Sequence, residues 1–271
     1  KSKCMAKISK YTLSVCVITK NEADRIRKCL DSVKHLADEI VVLDSGSTDG
    51  TVDIVKEYTD NVWVTDWPGF GPQKQRCLEK ATKDWVLFID ADESLDKTAQ
   101  NALRKLLAQE AIEEVAFTIK WGVVRHGKML KHGRSGRSPL RLFIREGSSF
   151  TPVQVHEKVI HPEGKVGRLP GILLHYTVRD YGEALAKNAK YGWLGSQKYF
   201  ENGRRNNSLL LVIARAYWTF FQIYIIRGGF LDGRIGLLVA LDYMQTNFAK
   251  HAGLWVLTRE EKIQRKEKRE L

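Results

Sequence analysis

Asp90 and Asp92 stand one residue apart with Glu93 beside them, at the end of the apolar run Trp85-Val86-Leu87-Phe88-Ile89. Like charges this close repel, so the pair calls for a cation or a hydrogen-bonding ligand. Hard divalent cations take carboxylate oxygens and share their remaining positions with phosphate and water. An Asp-x-Asp at this place therefore suggests Mg²⁺ or Mn²⁺ holding a phosphate. A solvated turn after a strand is the other reading of the same three residues, and the rest of the chain decides between them.

The apolar run is too short for a typical helix and rich in bulky and branched side chains, which predicts a buried strand. Two earlier segments end in the same polar way. Leu13 to Ile18 predicts a strand that runs into Thr19-Lys20-Asn21-Glu22. Glu39 to Leu43 predicts another, followed by Asp44-Ser45-Gly46-Ser47-Thr48-Asp49-Gly50-Thr51. Between them, Ile26, Leu30, Val33 and Leu36 recur at helical spacing over residues 23–36. The polar loop after Leu43 opens a second helix carrying Val52, Val55 and Tyr58, with Ser or Asp placed to cap it. Val62 to Thr65 predicts a third short strand, and residues 69–82 contain a helix. Alternation of this kind predicts a parallel sheet covered on both faces, with right-handed crossovers. Ligands of such sheets sit beyond the carboxyl ends of the strands, where all three polar clusters would collect. Neither a Gly-x-Gly-x-x-Gly nor a Gly-x-x-x-x-Gly-Lys-Ser/Thr motif is present, so neither a dinucleotide fingerprint nor a P-loop is indicated.

The chain has 271 residues, a formal net charge of +12 and a pI near 9.5. Its length suits one domain with an appendage, and its charge implies an anionic partner: nucleic acid, a phosphorylated substrate or an acidic membrane surface. Cys4, Cys16, Cys29 and Cys77 form no Cys-x-x-Cys pair, which predicts reduced thiols in a cytosolic compartment. No apolar segment of the secretory kind precedes the first strand, so no signal peptide is expected.

The segments Val17 to Glu22, Val41 to Thr51 and Trp85 to Glu93 resemble the three nucleotide-sugar-binding motifs of glycosyltransferase family 2. Through His156-Glu157, His175-Tyr176 and an apolar C-terminal region, the likeness extends to bacterial lipopolysaccharide-core glucosyltransferases of the WaaE/KdtX type. The resemblance implies an α/β chain with the GT-A fold, a Rossmann-like and mostly parallel sheet with flanking helices, and a C-terminal helical region that associates with membrane. Residues 1–179 would form the nucleotide-sugar-binding and catalytic domain, and residues 180–271 the helical region, in contact with a membrane surface or a second copy. The same resemblance puts Asn21 and Glu22 near the base or ribose, Asp44 on the edge of a uracil, Asp90 at the ribose and Asp92 on the metal. Thr19 and Ser47 belong to these motifs and are assigned to the donor site with them. Lys74 falls where the family often carries Arg-Asn, which keeps a cation but changes its shape.

No acidic residue occurs from Val115 to Arg145, while Lys120, Arg125, Lys128, Lys131, Arg134, Arg137, Arg141 and Arg145 do. With Gly122, Gly127, Gly133 and Gly136 interleaved, this predicts a mobile basic loop for a diphosphate or a phosphorylated acceptor. A solvated basic loop is the alternative. Arg141 lies among apolar neighbours that would draw it toward the protein body, so it joins the donor-binding residues. Sugar transfer with inversion needs a group to take the proton of the acceptor hydroxyl. Glu157 is the expected base and His156 the fallback, by likeness to the family's late acidic motif. His175, in Leu173-Leu174-His175-Tyr176, could complete the metal shell with Asp92, or be a structural histidine.

Residues 180–200 predict a helix. Ser208 to Ile226 is almost wholly apolar and near the length of a membrane span, with Ser208, Arg215, Thr219 and Gln222 in one stripe. A charge in mid-span costs about 2.5 to 3.5 kcal/mol on insertion scales. An amphipathic helix on the cytoplasmic leaflet is therefore expected, flanked by Arg204, Arg205 and Arg227, with a bundle helix or oligomer contact as the alternative. Phe230 to Trp255 predicts further helix interrupted at glycines, then a charged, solvated tail.

The combined expectation is a cytoplasmic, peripheral membrane enzyme that moves a hexose, glucose from UDP-glucose, to an inner-core heptose on a lipid-linked saccharide. Mg²⁺ or Mn²⁺ would assist direct displacement. Two other readings compete. Asp90-Ala91-Asp92-Glu93-Ser94 approaches the motif of aspartyl-nucleophile phosphatases, although there the motif normally follows the first strand. A basic nucleic-acid-binding protein would explain the charge and leave the three carboxylate clusters unexplained, so no nucleic-acid partner is expected.

Overall fold

A computed structural model describes residues 10–133, 136–153 and 157–270. Cys4, Arg134, Val155 and His156 lie outside the described residues. The chain folds as two compact units, one of residues 1–122 and 137–175, the other of residues 123–136 and 176–271.

The first unit starts with β1 (Leu13–Thr19), α1 (Ile26–Val33), β2 (Glu39–Asp44), α2 (Thr51–Lys56), β3 (Val62–Val64), α3 (Phe70–Glu79) and β4 (Trp85–Phe88). It continues through β5 (Glu93–Leu95), α4 (Lys97–Leu107) and β6 (Glu114–Arg125); the chain then makes β7 (Lys128–Met129). After it come β8 (Leu140–Ile144), β9 (Ser149–Phe150), β10 (Val159–Ile160) and β11 (Lys165–Tyr176). The main sheet has the order β3-β2-β1-β4-β8-β6-β11-β5. Its first four strands are parallel, while β4–β8, β6–β8 and β11–β5 are antiparallel. The sequence pattern exposed only the parallel half.

Both faces of this half are covered, and β1 shows how. Leu13, Val15 and Val17 join α1 and α4 in one core layer with Ile26, Leu30, Val42, Leu87 and Leu103. Cys16 and Ile18 point the other way, to Leu43, Cys77, Leu78, Val86 and Phe88 under α3. The period-2 alternation of a strand buried on two sides thus supplies both layers. Parallel register aligns the strand ends, with Thr19 beside Asp44 and Asp44 beside Val64. Asp96 caps α4 by accepting the Ala99 N–H at 2.7 Å, so β5 passes directly into that helix. Cys16, Cys29 and Cys77 are buried free thiols.

The segment expected to be a mobile basic loop is largely strand. Val115, Phe117, Ile119, Trp121, Val123 and Val124 favour the pleated conformation and form β6, and Leu140 to Ile144 forms β8. Several of its cations are committed to partners. Arg125 pairs with Asp242 at 2.7 Å, Lys128 donates to the Asp232 carbonyl at 2.5 Å, and Arg145 Nε donates to the Lys83 carbonyl at 2.9 Å. Fixed acceptors, absent from the local sequence, settle the conformation that the glycines left open.

The second unit is helical: α5 (Tyr181–Glu201), α6 (Leu209–Phe221) extended by a π turn over Gln222–Ile226, a 3₁₀ turn at Gly229–Asp232, and α7 (Gly233–Glu270). Asp180 and Ser208 cap α5 and α6 through the N–H groups of Glu183 and Leu211. The expected glycine interruptions do not occur, because α7 runs through Gly236 and Gly253 without a break. A Cβ at Gly253 would lie 2.3 Å from Ser196 Oγ, and one at Gly236 would lie 1.9 Å from the Gly229 carbonyl oxygen. These glycines permit close approach between segments.

Candidate active site

Helix α3 supplies the pivot of the site. Its first turn lies so close to the chain beyond β9 that a Cβ at Gly71 would meet the Thr151 and Val153 carbonyl oxygens at 2.1 and 2.6 Å. One turn on, Lys74 is only 4% exposed and places Nζ 3.1 Å from Asp90 Oδ1 and 2.8 Å from Glu157 Oε1. A buried ammonium survives only when paired, and here two carboxylates share it. The next residue, Gln75, accepts the N–H of Phe150 at 2.8 Å and ties the helix to β9.

The end of β4 holds a second cation. Arg141, on β8, sets Nη2 2.5 Å from Asp90 Oδ2 and 2.7 Å from Glu93 Oε1. Trp121 Nε1 donates to the same Glu93 oxygen at 2.7 Å, and the other Glu93 oxygen accepts the Asp90 N–H at 3.0 Å. Burial opposes ionisation of Asp90, but the charges of Arg141 and then Lys74 outweigh it and hold the carboxyl well below its usual range. For Glu93 burial wins over Arg141, and its carboxyl is pushed up. Burial would lower Arg141; Asp90 and Glu93 overcome this and raise it.

Asp92 escapes both cations. Its Oδ2 lies 3.3 Å from His175 Nε2, each side chain keeping roughly a fifth of its surface (23% and 22%). The Trp121 ring packs on the imidazole with centroids 4.9 Å apart and an interplanar angle of 30°. Burial disfavours the imidazolium, yet the Asp92 hydrogen bond and charge, then Glu93 and Asp90, raise the His175 pKa. An oxygen and a nitrogen donor this close, both partly open, suit two neighbouring positions around one hard divalent cation. Among the described residues no group of three or more His, Cys, Asp and Glu converges, so such an ion would take its other ligands from substrate and water.

A different chemistry shapes the ends of β1 and β2. Asp44 is fully buried. Its Oδ2 accepts the N–H groups of Gly46 and Ser47 at 2.8 and 2.7 Å, and Oδ1 accepts the Ser47 hydroxyl. Ser47 Oγ in turn accepts the Asn21 N–H at 2.7 Å, and Asn21 Oδ1 accepts the Thr48 N–H at 2.9 Å. Asn21 is held at φ +54°, a conformation that Asn tolerates better than most residues. Glu22 is 2.6 Å from Arg25, and its N–H donates to Thr51 Oγ1 at 2.8 Å. The two loops therefore form one network.

The model of Glycosyl transferase family 2 matches residues 14–150, from β1 through β9. The chain is a family 2 glycosyltransferase. It is 33% identical over 264 residues to the lipopolysaccharide core biosynthesis glycosyltransferase LpsC of Rhizobium meliloti, covering 90% of this chain and 95% of that protein. An uncharacterised glycosyltransferase of Rickettsia typhi is 28% identical over 252 residues, covering 89% and 86%. Among solved structures, residues 1–349 of Staphylococcus aureus TarS in complex with UDP-GlcNAc are 15% identical, with a TM-score of 0.46 and coverage of 89% and 91%.

In this glycosyltransferase the structure gathers Lys74, Asp90, Arg141 and Glu157 into one ion-pair cluster, with Asp92 and His175 facing each other beside it. Asn21, Glu22, Asp44 and Ser47 form the separate hydrogen-bonded rim, which Thr19 joins through its carbonyl, the acceptor of the Ser45 N–H at 2.9 Å. His156 lies outside the described residues. Two residues of the cluster escaped the sequence reading as site residues. Glu93 stood in the carboxylate run without an assigned role, and its raised pKa depends on a burial that sequence does not display. Trp121 reads as one more apolar strand residue; its pairing with Glu93 spans β5 and β6, which are not neighbours in the sheet order.

Proposed function

We propose that the enzyme transfers glucose from UDP-glucose to a heptose of the lipopolysaccharide inner core by direct displacement with inversion. The observation that carries this reading is the contact of Lys74 with both Asp90 and Glu157, which joins the strand-end carboxylates to a carboxylate arriving from a late segment. Glu157 accepts the proton of the acceptor hydroxyl. The acceptor oxygen bonds to the anomeric carbon from the face opposite the diphosphate, and the bond to the diphosphate oxygen breaks with its electron pair on the leaving group. Lys74 fixes the direction of Glu157, while Arg141 holds Asp90 and Glu93 in place. Asp92 and His175 would hold Mg²⁺ or Mn²⁺, whose charge stabilises the departing diphosphate when bound. The β1 and β2 loops take the nucleoside end.

The acceptor class is supported by the name of the R. meliloti relative, matched along nearly its whole length. A peripheral position on the cytoplasmic leaflet is supported by α6. Its buried residues Val212 and Ala216 form one stripe, continued by Ile223 in the π turn, while Leu210 is 79% exposed, Tyr217 61% and Trp218 55%. Arg215 turns Nη1 to within 3.3 Å of His251 Nδ1 on α7. Apolar side chains thus face outward, as an interfacial helix requires.

Calorimetry with UDP, with and without Mn²⁺ or Mg²⁺, tests the donor site on the native enzyme and on Asp92→Ala. Metal-dependent UDP binding that disappears in the variant is the expected result. Absence of UDP binding under every metal condition refutes the reading.

A further inference from the structure

Three cations of the helical unit gather around one pair of rings. Tyr199, near the end of α5, is the hub. The guanidinium of Arg204, in the loop after α5, stacks on its ring with 4.4 Å to the centroid. Lys250, half-buried on α7, sets Nζ 4.8 Å from the same centroid and donates to the Tyr199 hydroxyl oxygen at 3.4 Å. Its stem reaches there by crossing α5 at Gly195, where a Cβ would lie 2.8 Å from Lys250 Cδ. The Tyr199 ring also packs on His251, with centroids 5.8 Å apart, and His251 Nδ1 faces Arg215 Nη1 of α6 at 3.3 Å. Burial, then the charges of Lys250, Arg215 and Arg204, lower the His251 pKa, so all three cations act on that ring. Among the described residues none of the three has a carboxylate partner, whereas the adjacent Arg205 is paired with Glu261 at 2.6 Å. Aromatic contacts position the cations and leave N–H groups free to donate. Like charges held together in this way favour a bound anion.

We infer that Arg204, Arg215 and Lys250 form a binding site for the phosphomonoester headgroup of a membrane lipid. This rests on the reading of α6 as an interfacial helix. Arg215 lies between Leu211 and Trp218, one turn to either side on the same face of α6, and both are exposed. A ligand at Arg215 therefore meets cations and, beside them, open apolar side chains, the pairing found where headgroups meet acyl chains. Charge selects the class of headgroup. A phosphomonoester carries about −1.5 to −2 at neutral pH and presents three acceptor oxygens. A phosphodiester carries a single charge, and a zwitterionic headgroup adds an ammonium that the cluster repels. Three cations without an acid are best offset by the first, and a guanidinium can hold two of its oxygens at once. The outward apolar residues of α6 attach the enzyme to any bilayer; the cluster selects the lipid within it.

The test is sedimentation with phosphatidylcholine vesicles that carry either phosphatidic acid or phosphatidylglycerol, mixed to equal surface charge. The native enzyme is expected to bind the phosphatidic acid vesicles at least about fivefold more tightly, the effect of one well-placed cation. This comparison needs no variant, and equal binding of the two vesicles overturns the proposal. Arg204→Gln with Lys250→Gln, its folding verified by thermal melting, should erase the preference. Arg227→Gln with Lys262→Gln removes the same charge elsewhere in the helical unit, and should weaken binding to both vesicles alike while keeping the preference. A preference that survives in the folded cluster variant, or that disappears equally in the control, overturns the assignment to these residues. Calorimetry with glycerol 3-phosphate separates a lipid from a soluble phosphate ester. The expected result is no saturable binding, and saturable binding that the cluster variant loses would give the site to a soluble ligand and overturn the lipid. An enzyme that sediments with neither vesicle brings down the interfacial reading of α6 and this inference together, whereas binding without preference removes the headgroup site alone.

Discussion

The two units treat charge and apolar surface in opposite ways. The sheet unit hides its aliphatic side chains in two layers and gathers ionised groups at its strand ends, where Lys74 and Arg141 hold three carboxylates. In the helical unit Asp232, Asp242 and His251 are buried, while Leu210, Tyr217, Trp218, Ile226 and Leu231 are more than half exposed or nearly fully so (79, 61, 55, 59 and 60%). The contrast teaches what each unit is built to meet. Preorganised charge in a partly dry site suits a reacting, charged ligand, and an outward apolar face suits a surface that is itself apolar at its boundary.

The sharpest way to break this comparison is at Glu157, the proposed proton acceptor. Glu157→Gln should preserve the fold and UDP binding while lowering kcat by about 10² to 10⁴, the usual contribution of general base catalysis. Product assay beside calorimetry checks it. A variant that keeps native turnover would remove Glu157 from the reaction and leave the cluster a structural feature.

Next in size is the effect of removing a buried cation. Arg141→Met leaves Asp90 and Glu93 facing each other across a poorly hydrated site, and should cost about 3 to 5 kcal/mol in urea unfolding. Lys74 still faces Asp90, so the loss stems chiefly from Glu93, and Arg141→Met combined with Glu93→Gln should recover part of it. Failure of the second change to recover stability would mean that packing, not charge, explains the first.

These two predictions also mark how far the sequence could be read. Asp44, Asp90 and Asp92 were legible because short apolar runs ended abruptly in acids, a pattern that follows from parallel strands delivering their ends to one edge. Arg141 was legible from its apolar neighbours Leu140 and Leu142. What stayed hidden was pairing at long range. Lys74 meets Glu157 across 83 positions of sequence and Trp121 meets Glu93 across 28. The basic stretch from Val115 to Arg145 was misread as a mobile loop for the same reason: Asp242 and the Asp232 carbonyl, which fix Arg125 and Lys128, come more than a hundred residues later. The glycines of α7 misled in turn, since propensity counts their cost and not the close approach they allow.

A pH experiment sharpens the comparison within the helical unit. His251 is buried, and burial first, then Lys250, Arg215 and Arg204, lowers its pKa to about 4. At neutral pH the uncharged ring accepts a hydrogen bond from Arg215. The unfolded chain takes up this proton near pH 6.5 and the folded chain only near 4. Stability from this group is therefore complete above the unfolded value and declines as the pH falls through that window. The expected loss is on the order of 1 to 2 kcal/mol, discounted from about 1.4 kcal/mol per pKa unit for the polar surroundings. Urea midpoints measured at pH 7.5 and 4.5 should differ less in His251→Gln, and an equal difference would assign the acid sensitivity to other groups.

The smallest effect on stability, and the most direct test of the outward face, comes from α6. Leu210→Gln with Trp218→Gln removes apolar surface that already meets water in the folded chain, so unfolding should shift by no more than about 0.5 kcal/mol. Sedimentation with vesicles containing anionic lipid should respond quite differently. Burial of a large side chain is worth about 1.5 to 3 kcal/mol, so loss of both should reduce vesicle binding by at least about tenfold. UDP binding should stay unchanged, since the residues proposed to bind the donor all belong to the sheet unit. High salt should weaken the native interaction only in part. Arg205 is already paired with Glu261 at 2.6 Å, and Arg204 stacks on Tyr199 with 4.4 Å to the ring centroid, so apolar contact should carry more of any vesicle binding than the flanking cations do. Vesicle binding that vanishes in salt but survives the double substitution would reverse that order, placing membrane attraction in the net charge and not in the helix face.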